Sequence, residues 1–284
     1  MIAVSRRGDL VRIALLRGDD LAEYWLWNLA APDGLGDIYT ARVDAVMPAL
    51  AGRFLALGND LSGFLPDSAG GKNLTVGDYV AVRVTRAPQG DKGPRLEVVA
   101  EPHGDAPGLI RRGPGPLLDL AARFPAAEIV LDDYELMAQL RPTLAGRMRH
   151  DAKAFDTVLE DEVTALAEPT APLPHGAAMH ISPAKAATLI DIDAASASAI
   201  NPLALNTAII PEICRQIVLR NLSGGILIDF AGLKSAQRQK LAEPLRAALT
   251  ADTLRPSLLG FSHLGFAEIN RRRIRPPLHE LLSP

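Results

Sequence analysis

Two short apolar runs that each end in aspartate constrain this chain most: Thr188-Leu-Ile-Asp191-Ile-Asp193 and Gly224-Gly-Ile-Leu-Ile-Asp229-Phe230. Each is aliphatic, β-branched and too short for a buried helix, so both read as buried strands. Between them Asn201-Pro202 supplies a helix cap and first-turn pair, and Leu205, Ile209, Ile213 and Ile217 recur at four-residue spacing. A strand-helix-strand crossover makes the two strands parallel and close in one sheet, with their carboxyl ends at a shared edge. Open α/β sheets place their chemistry at that edge, and Asp191 and Asp229 sit there. Asp193 joins them on one face if its strand continues that far. Converging carboxylates repel, a strain that a hard divalent cation relieves, and Mg²⁺ held this way activates water and stabilises a phosphoryl transition state. The competing reading is that aspartates ending strands are ordinary turn formers or helix caps.

At 284 residues the chain has room for one large or two to three small domains. Its 48% hydrophobic and 22% charged residues are those of an ordinary globular chain, and a net charge of -3 gives no global signature of nucleic-acid binding. Any polyanion must be held by local patches. The one cysteine, Cys214, excludes an internal disulfide and any cysteine-based zinc site, suits the cytoplasm, and belongs in the core beside Ile213 and Ile217. No stretch has the length of a membrane span, and residues 1–7 lack the apolar run of a signal peptide.

From Val11 to Leu29 two alternating runs around Arg17-Gly-Asp-Asp20 read as a hairpin in which Trp25 and Trp27 pack rather than stack on bases. Residues 36–101 change to five short β-prone runs broken by glycine, which fit a small Greek-key barrel of the OB type. Such barrels hold single strands between aromatic and basic side chains. Phe54 and Phe64 are candidate stackers, and Lys72, Arg83, Arg86, Lys92 and Arg95 candidate phosphate partners, though acidic residues are as numerous here. The Gly/Pro-rich residues 102–116 read as a linker. Helix, strand and two helical patterns follow over residues 117–166. Pro211 and Pro244 fall inside helical patterns, where each is expected to open a new helix or mark a kink. Arg271, Arg272, Arg273 and Arg275 form the densest basic cluster, readable as a solvated surface or as phosphate contacts.

Gly36-Asp-Ile-Tyr-Thr-Ala-Arg-Val43, the run around Phe54, Gly63-Phe64-Leu-Pro66 and Gly90-Asp-Lys92-Gly-Pro-Arg95 resemble, in order and spacing, the S1 domain of the ribonuclease E/G family of bacterial endoribonucleases. The resemblance continues through the Asp191 and Asp229 runs, Leu205-Asn206-Thr207, Glu212-Ile-Cys-Arg215-Gln216-Ile217 and Glu268-Ile-Asn-Arg271-Arg-Arg273. It implies an α/β (α+β, multidomain) fold: an S1-like OB barrel at 36–101 inserted in a discontinuous RNase-H-like structural subdomain, 1–35 and 117–172. A DNase-I-like α/β catalytic subdomain at 173–284 follows. On this likeness Asp191 and Asp229 are the magnesium-binding, catalytic carboxylates, and Phe54, Phe64 and Lys92 fall on RNA-contacting positions.

The chain departs from the family pattern at several points. Asp193 stands where the family has asparagine, and is expected to help place metal or water. The turn after it is replaced by Ala194-Ala-Ser-Ala-Ser198, and His263 replaces an arginine, in a position that favours substrate contact. Residues 102–116 match no 5′-monophosphate sensor, and no Cys-Pro-x-Cys element is found, so zinc and zinc-linked dimerisation are not expected, although another homo-oligomer remains open. The expected activity is Mg²⁺-dependent hydrolysis of single-stranded RNA in the cytoplasm, leaving 5′-phosphate and 3′-hydroxyl ends. Asp191, Asp229 and Asp193 would lie at the reacting centre, with Phe54, Phe64, Lys92, His263, Arg271 and Arg273 on RNA. A degenerate relative that binds RNA without cutting it is the alternative, and a scaffold for other RNA-processing proteins is a third.

Overall fold

The computed structural model describes residues 1–194 and 200–282. It opens with an antiparallel meander of β1 (Ile2–Arg7), β2 (Leu10–Arg17) and β3 (Asp20–Asn28), one strand more than the expected hairpin. Trp25 and Trp27 pack against the core beneath this sheet, as expected of large aromatics on a half-buried face.

Next come β4 (Ile38–Met47), β5 (Gly52–Gly58), β6 (Leu61–Pro66), β7 (Tyr79–Arg86) and β8 (Arg95–Val98). They pair in the order β5-β6-β8-β7-β4, and β4 also pairs with β5, which closes a five-stranded barrel of the OB type. Its inside is filled by Ala41, Val43, Leu55, Leu57, Leu65, Val82 and Leu96. The stretch expected to be a linker is more than that: it contains β9 (Gly108–Arg111), which pairs with Ile38–Thr40 of β4.

The chain then returns through α1 (Gly115–Arg123), β10 (Ile129–Leu131), α2 (Tyr134–Leu144), β11 (Met148–His150) and α3 (Thr157–Ala165). β10 and β11 extend the first sheet in parallel, giving the order β11-β10-β1-β2-β3. Asp133 and Asp156 cap α2 and α3, accepting hydrogen bonds from Leu136 N at 2.6 Å and Leu159 N at 2.9 Å.

The last layer holds β12 (Thr170–Pro172), β13 (Ala178–Pro183), β14 (Ala187–Asp193), α4 (Pro202–Leu219), β15 (Gly224–Asp229), α5 (Ser235–Arg238), α6 (Ala242–Leu249), β16 (Ser257–Phe261), β17 (Ala267–Arg271) and α7 (Leu278–Leu282). The sheet runs β12-β13-β14-β15-β17-β16, with β14 and β15 parallel. β12 therefore belongs to this sheet, although its residues were assigned by sequence to the preceding subdomain. One face packs through Ile190, Ile192, Ile226, Ile228, Ala267 and Ile269 onto Ile209, Ile213 and Ile217 of α4 and Leu245 and Leu249 of α6. Alternate residues of β13 and β14, His180, Ser182, Leu189, Asp191 and Asp193, are exposed, so the opposite face is open.

Candidate active site

The crossover argument predicts that Asp191 and Asp229 share an edge, and register aligns them. In the parallel pair β14/β15 they are direct partners, on strands about 4.8 Å apart. β14 reaches Asp193, so Asp191 and Asp193 lie on one face, and both are exposed. The same row continues outward: His180 on β13 is the partner of Asp191, and Thr170 on β12 is the partner of His180. Thr170 Oγ1 and His180 Nδ1 share a 3.0 Å hydrogen bond. Thr170, His180, Asp191 and Asp229 thus form one row across four adjacent strands. His180, Asp191 and Asp193 border a cleft of about 480 Å³ that Ile200, Pro202 and Gly232 also line. The segment 195–199, which includes most of the altered turn, lies outside the described residues.

The carboxylates have a basic neighbour. Arg238 Nη2 lies 3.4 Å from Asp229 Oδ1, and its Nε donates to Leu233 O at 3.0 Å. Arg238 also packs against the turn between β16 and β17, with Nη1 3.4 Å from Leu264 O. That turn carries the exposed His263 and is closed by Gly265 N to Ser262 O at 2.9 Å. Gly265 has φ +93°, and a Cβ there would stand 1.7 Å from Arg238 Nη1, so glycine is what lets the arginine lie between Asp229 and the turn.

Arg271 must be withdrawn from the RNA-contacting set. It is 2% exposed, its Nε donates to Asp252 Oδ2 at 2.5 Å, and its Nη1 donates to Asn221 Oδ1 at 2.8 Å and Leu222 O at 3.0 Å. Alternation along β17 turns Arg271 inward with Ile269 and Ala267. Arg275 is likewise buried, paired with Asp33. Arg273 is half-buried, at the seam with the barrel. On the barrel, Phe54 and Phe64 oppose each other across β5 and β6 as an edge-to-face pair with centroids 5.4 Å apart, and Lys92 is exposed at the β7/β8 turn. His180 and Arg238 were missed by sequence reasoning. The alternation of Met179, His180 and Ile181 puts the histidine outward, but its register with Asp191 depends on the turn at Ala184, and nothing local marked Arg238.

Among the described residues no three side chains of His, Cys, Asp and Glu stand as a closed metal cage. Mg²⁺ does not require one, because it keeps several waters and is held through one or two carboxylates plus substrate phosphates. Two accessible, register-paired carboxylates at an open sheet edge fit that donor set.

An OB-type barrel joined to a sheet that carries carboxylates on its open face defines a multidomain α/β protein. The ribonuclease E/G family model matches residues 126–274, more than half of the 284. The chain belongs to this family. Similar relatives include Ribonuclease E of Escherichia coli, 34% identical over 171 residues, which are 54% of this chain and 16% of that protein. Ribonuclease G of Salmonella typhimurium is 30% identical over 158 residues, 52% of this chain and 32% of that one. Ribonuclease E of Nostoc sp. is 33% identical over 122 residues, 41% and 18% of the two chains. The matched part of the chain spans a third or less of each of these relatives.

Proposed function

We propose that the chain is a metal-dependent endoribonuclease acting on single-stranded RNA, with Asp191 and Asp229 holding Mg²⁺. The observation that carries this reading is the in-register pairing of these two carboxylates on the open face. When bound there, Mg²⁺ supplies an activated water and charge stabilisation at a phosphodiester, which leads to 5′-phosphate and 3′-hydroxyl ends. Asp193, two residues along the same face, would orient the attacking water. Arg238 neutralises one side of Asp229 and is placed to meet a phosphate oxygen. His263, on the adjacent turn, faces the substrate, while Phe54, Phe64 and Lys92 hold the strand on the barrel. In this reading the first and last layers correspond to the RNase-H-like and DNase-I-like subdomains.

A second reading is that the chain binds RNA without cutting it. The ion pair between Arg238 and Asp229, and the additional negative charge of Asp193, favour it. One assay separates the two: an A/U-rich single-stranded RNA is incubated with and without Mg²⁺, beside the Asp191→Asn and Asp229→Asn variants. The enzyme reading expects Mg²⁺-dependent cleavage that falls by about a thousandfold or more in each variant while RNA binding persists, since a lost metal site removes several kcal/mol of transition-state stabilisation. Binding without cleavage in every condition leaves the second reading standing.

A further inference from the structure

The barrel carries its own in-register row. Phe54 on β5 is the partner of Phe64 on β6, Phe64 of Arg95 on β8, and Arg95 of Arg86 on β7. Directly opposed residues point to the same face, so two aromatics and two arginines line up over three strand spacings, about 14 Å. Phe54 and Arg95 are exposed, and Phe64 and Arg86 half-buried. The Arg95 guanidinium lies over the Phe64 ring, 6.0 Å from its centroid.

The row ends at the seam with the last layer. Ala87 N, next to Arg86, donates to Ile274 O at 2.8 Å, which brings the segment after β17 against the barrel. In that segment the Arg273 guanidinium is laid across Gly224, where a Cβ would stand 2.3 Å from its Nε. Burial first, then Arg95 and Arg273, depress the pKa of Arg86, so the Arg86 guanidinium senses the other two. Other arginines of the barrel are matched to acids: Arg42 with Asp44, Arg53 with Asp67 and Arg83 with Glu97. Among the described residues Arg86, Arg95 and Arg273 have no carboxylate within ion-pair distance. Like charges directly opposed across a sheet are destabilising, so the fold bears a repulsion that its own acids do not offset. At the turn of the same hairpin, Gln89 Nε2 is buried and has no hydrogen-bond partner, one more donor left open.

We propose that Arg86, Arg95 and Arg273 form a phosphate clasp at the junction of the barrel and the last sheet, holding the backbone of a single strand whose neighbouring bases stack on Phe64 and Phe54. The proposal rests on the reading of the substrate as single-stranded RNA. It differs from a diffuse basic surface in two ways: its members come from both layers, and its row orders stacking before phosphate contact. Gly224, under Arg273, begins the strand that ends five residues later at Asp229, about 17 Å away, so the clasp lies at the opposite end of β15 from the carboxylates.

The test measures binding of a fluorescent oligo(U) RNA by anisotropy over a series of salt concentrations. It compares the wild-type chain, Arg86→Gln, Arg95→Gln, Arg273→Gln, the triple variant and an Arg42→Gln control on the acid-paired Arg42. Each lost phosphate contact on a single strand lowers the slope of log affinity against log salt by about 0.7, so the triple variant should lose about 2 and the control nothing comparable. Thermal unfolding of Arg86→Gln supplies an independent readout. Relief of the repulsion should leave its midpoint unchanged or raise it while RNA affinity falls, whereas a purely structural arginine would lose both. A triple variant that keeps the wild-type affinity and slope, or an Arg86→Gln variant that loses stability along with affinity, overturns the clasp. Cleavage and binding by the wild type beside an unaffected triple variant would leave the functional reading intact, whereas a wild type that neither binds nor cuts RNA defeats both.

Discussion

Arg271 shows how a single residue can be misread in a run of like charges. Read along the sequence, Arg271, Arg272 and Arg273 look like one basic patch, but a strand sends alternate residues to opposite faces. The inward turn makes Arg271 a buried ion with a matched set of acceptors in Asp252, Asn221 and Leu222. Removing one partner of such a pair leaves the other charge buried, a loss of about 3–5 kcal/mol. Arg271→Ala is therefore expected to lower the urea unfolding free energy by that order, with Asp252→Ala close behind. An Arg271→Ala variant of wild-type stability but weakened RNA affinity would restore the surface reading. The carboxylates were more accessible to sequence reasoning, because Asp191 and Asp229 end apolar runs that have few ways to be buried. His180 was not, because its partnership with Asp191 exists only once the β13/β14 register is set.

Among the elements, those with a long apolar signature were readable and several of the short ones were not. α4 follows the stripe of Leu205, Ile209, Ile213 and Ile217, and it continues through Pro211 because both flanks, Ile209, Ile210 and Ile213, are buried against the sheet. The expected break occurs instead at Pro244, which lies in the first turn of α6, where a missing N–H costs little. The strand expected within residues 117–166 is β10, whereas β9, β11 and β12 span three or four residues each and take their conformation from the strands beside them, so no local periodicity announces them. α3 was expected from its helical pattern, yet a long-range pair also ties it to the first sheet. Arg12 Nη1 and Nη2 donate to Glu160 at 2.5 and 2.7 Å. The hydrogen bond from Arg12 is the main reason the Glu160 carboxyl titrates below the ordinary range. Its folded pKa is thus below its unfolded value near 4.3, so the pair contributes stability above about pH 4.3 that is lost as pH falls through the depressed folded value. Glu160 is partly exposed and solvent screens the pair, so Glu160→Gln should cost only on the order of 1 kcal/mol at pH 7 and should flatten the acid limb of the stability curve. Unfolding curves recorded from pH 6 to pH 3, spanning the range in which carboxyls titrate, check this: an unchanged acid limb in the variant would remove the pair from the account.

At the scale of the whole molecule the question is how an inserted barrel is held to the two layers around it. The two chain crossings, before β4 and after β9, meet at Asp37, which is 3% exposed. Its Oδ1 accepts from Gly113 N and its Oδ2 from Arg112 Nη1, both at 2.7 Å, with Tyr39 Oη at 3.3 Å. The crossings run so close that a Cβ on Gly113 would stand 2.2 Å from Leu35 O. None of this could be read from composition, because Asp37 and Gly113 are separated by the whole barrel. A second tie, Ala87 N to Ile274 O, joins the barrel to the last layer at the arginine seam. Asp37→Ala leaves the Gly113 N–H and the Arg112 guanidinium without their acceptor, at a cost of about 1–3 kcal/mol. If the barrel is a separately cooperative unit fastened at these points, that cost should appear locally. Hydrogen exchange at residues 34–37 and 112–116 should speed up, with a smaller rise through β4 and β9, while β14 and β15 keep wild-type protection. RNA affinity should fall in parallel, because the Phe54 to Arg86 row would no longer be held against Arg273. Loss of protection spread evenly over all three sheets would instead mean that barrel and flanking layers unfold together, and the seam would then be part of one core rather than a joint between units.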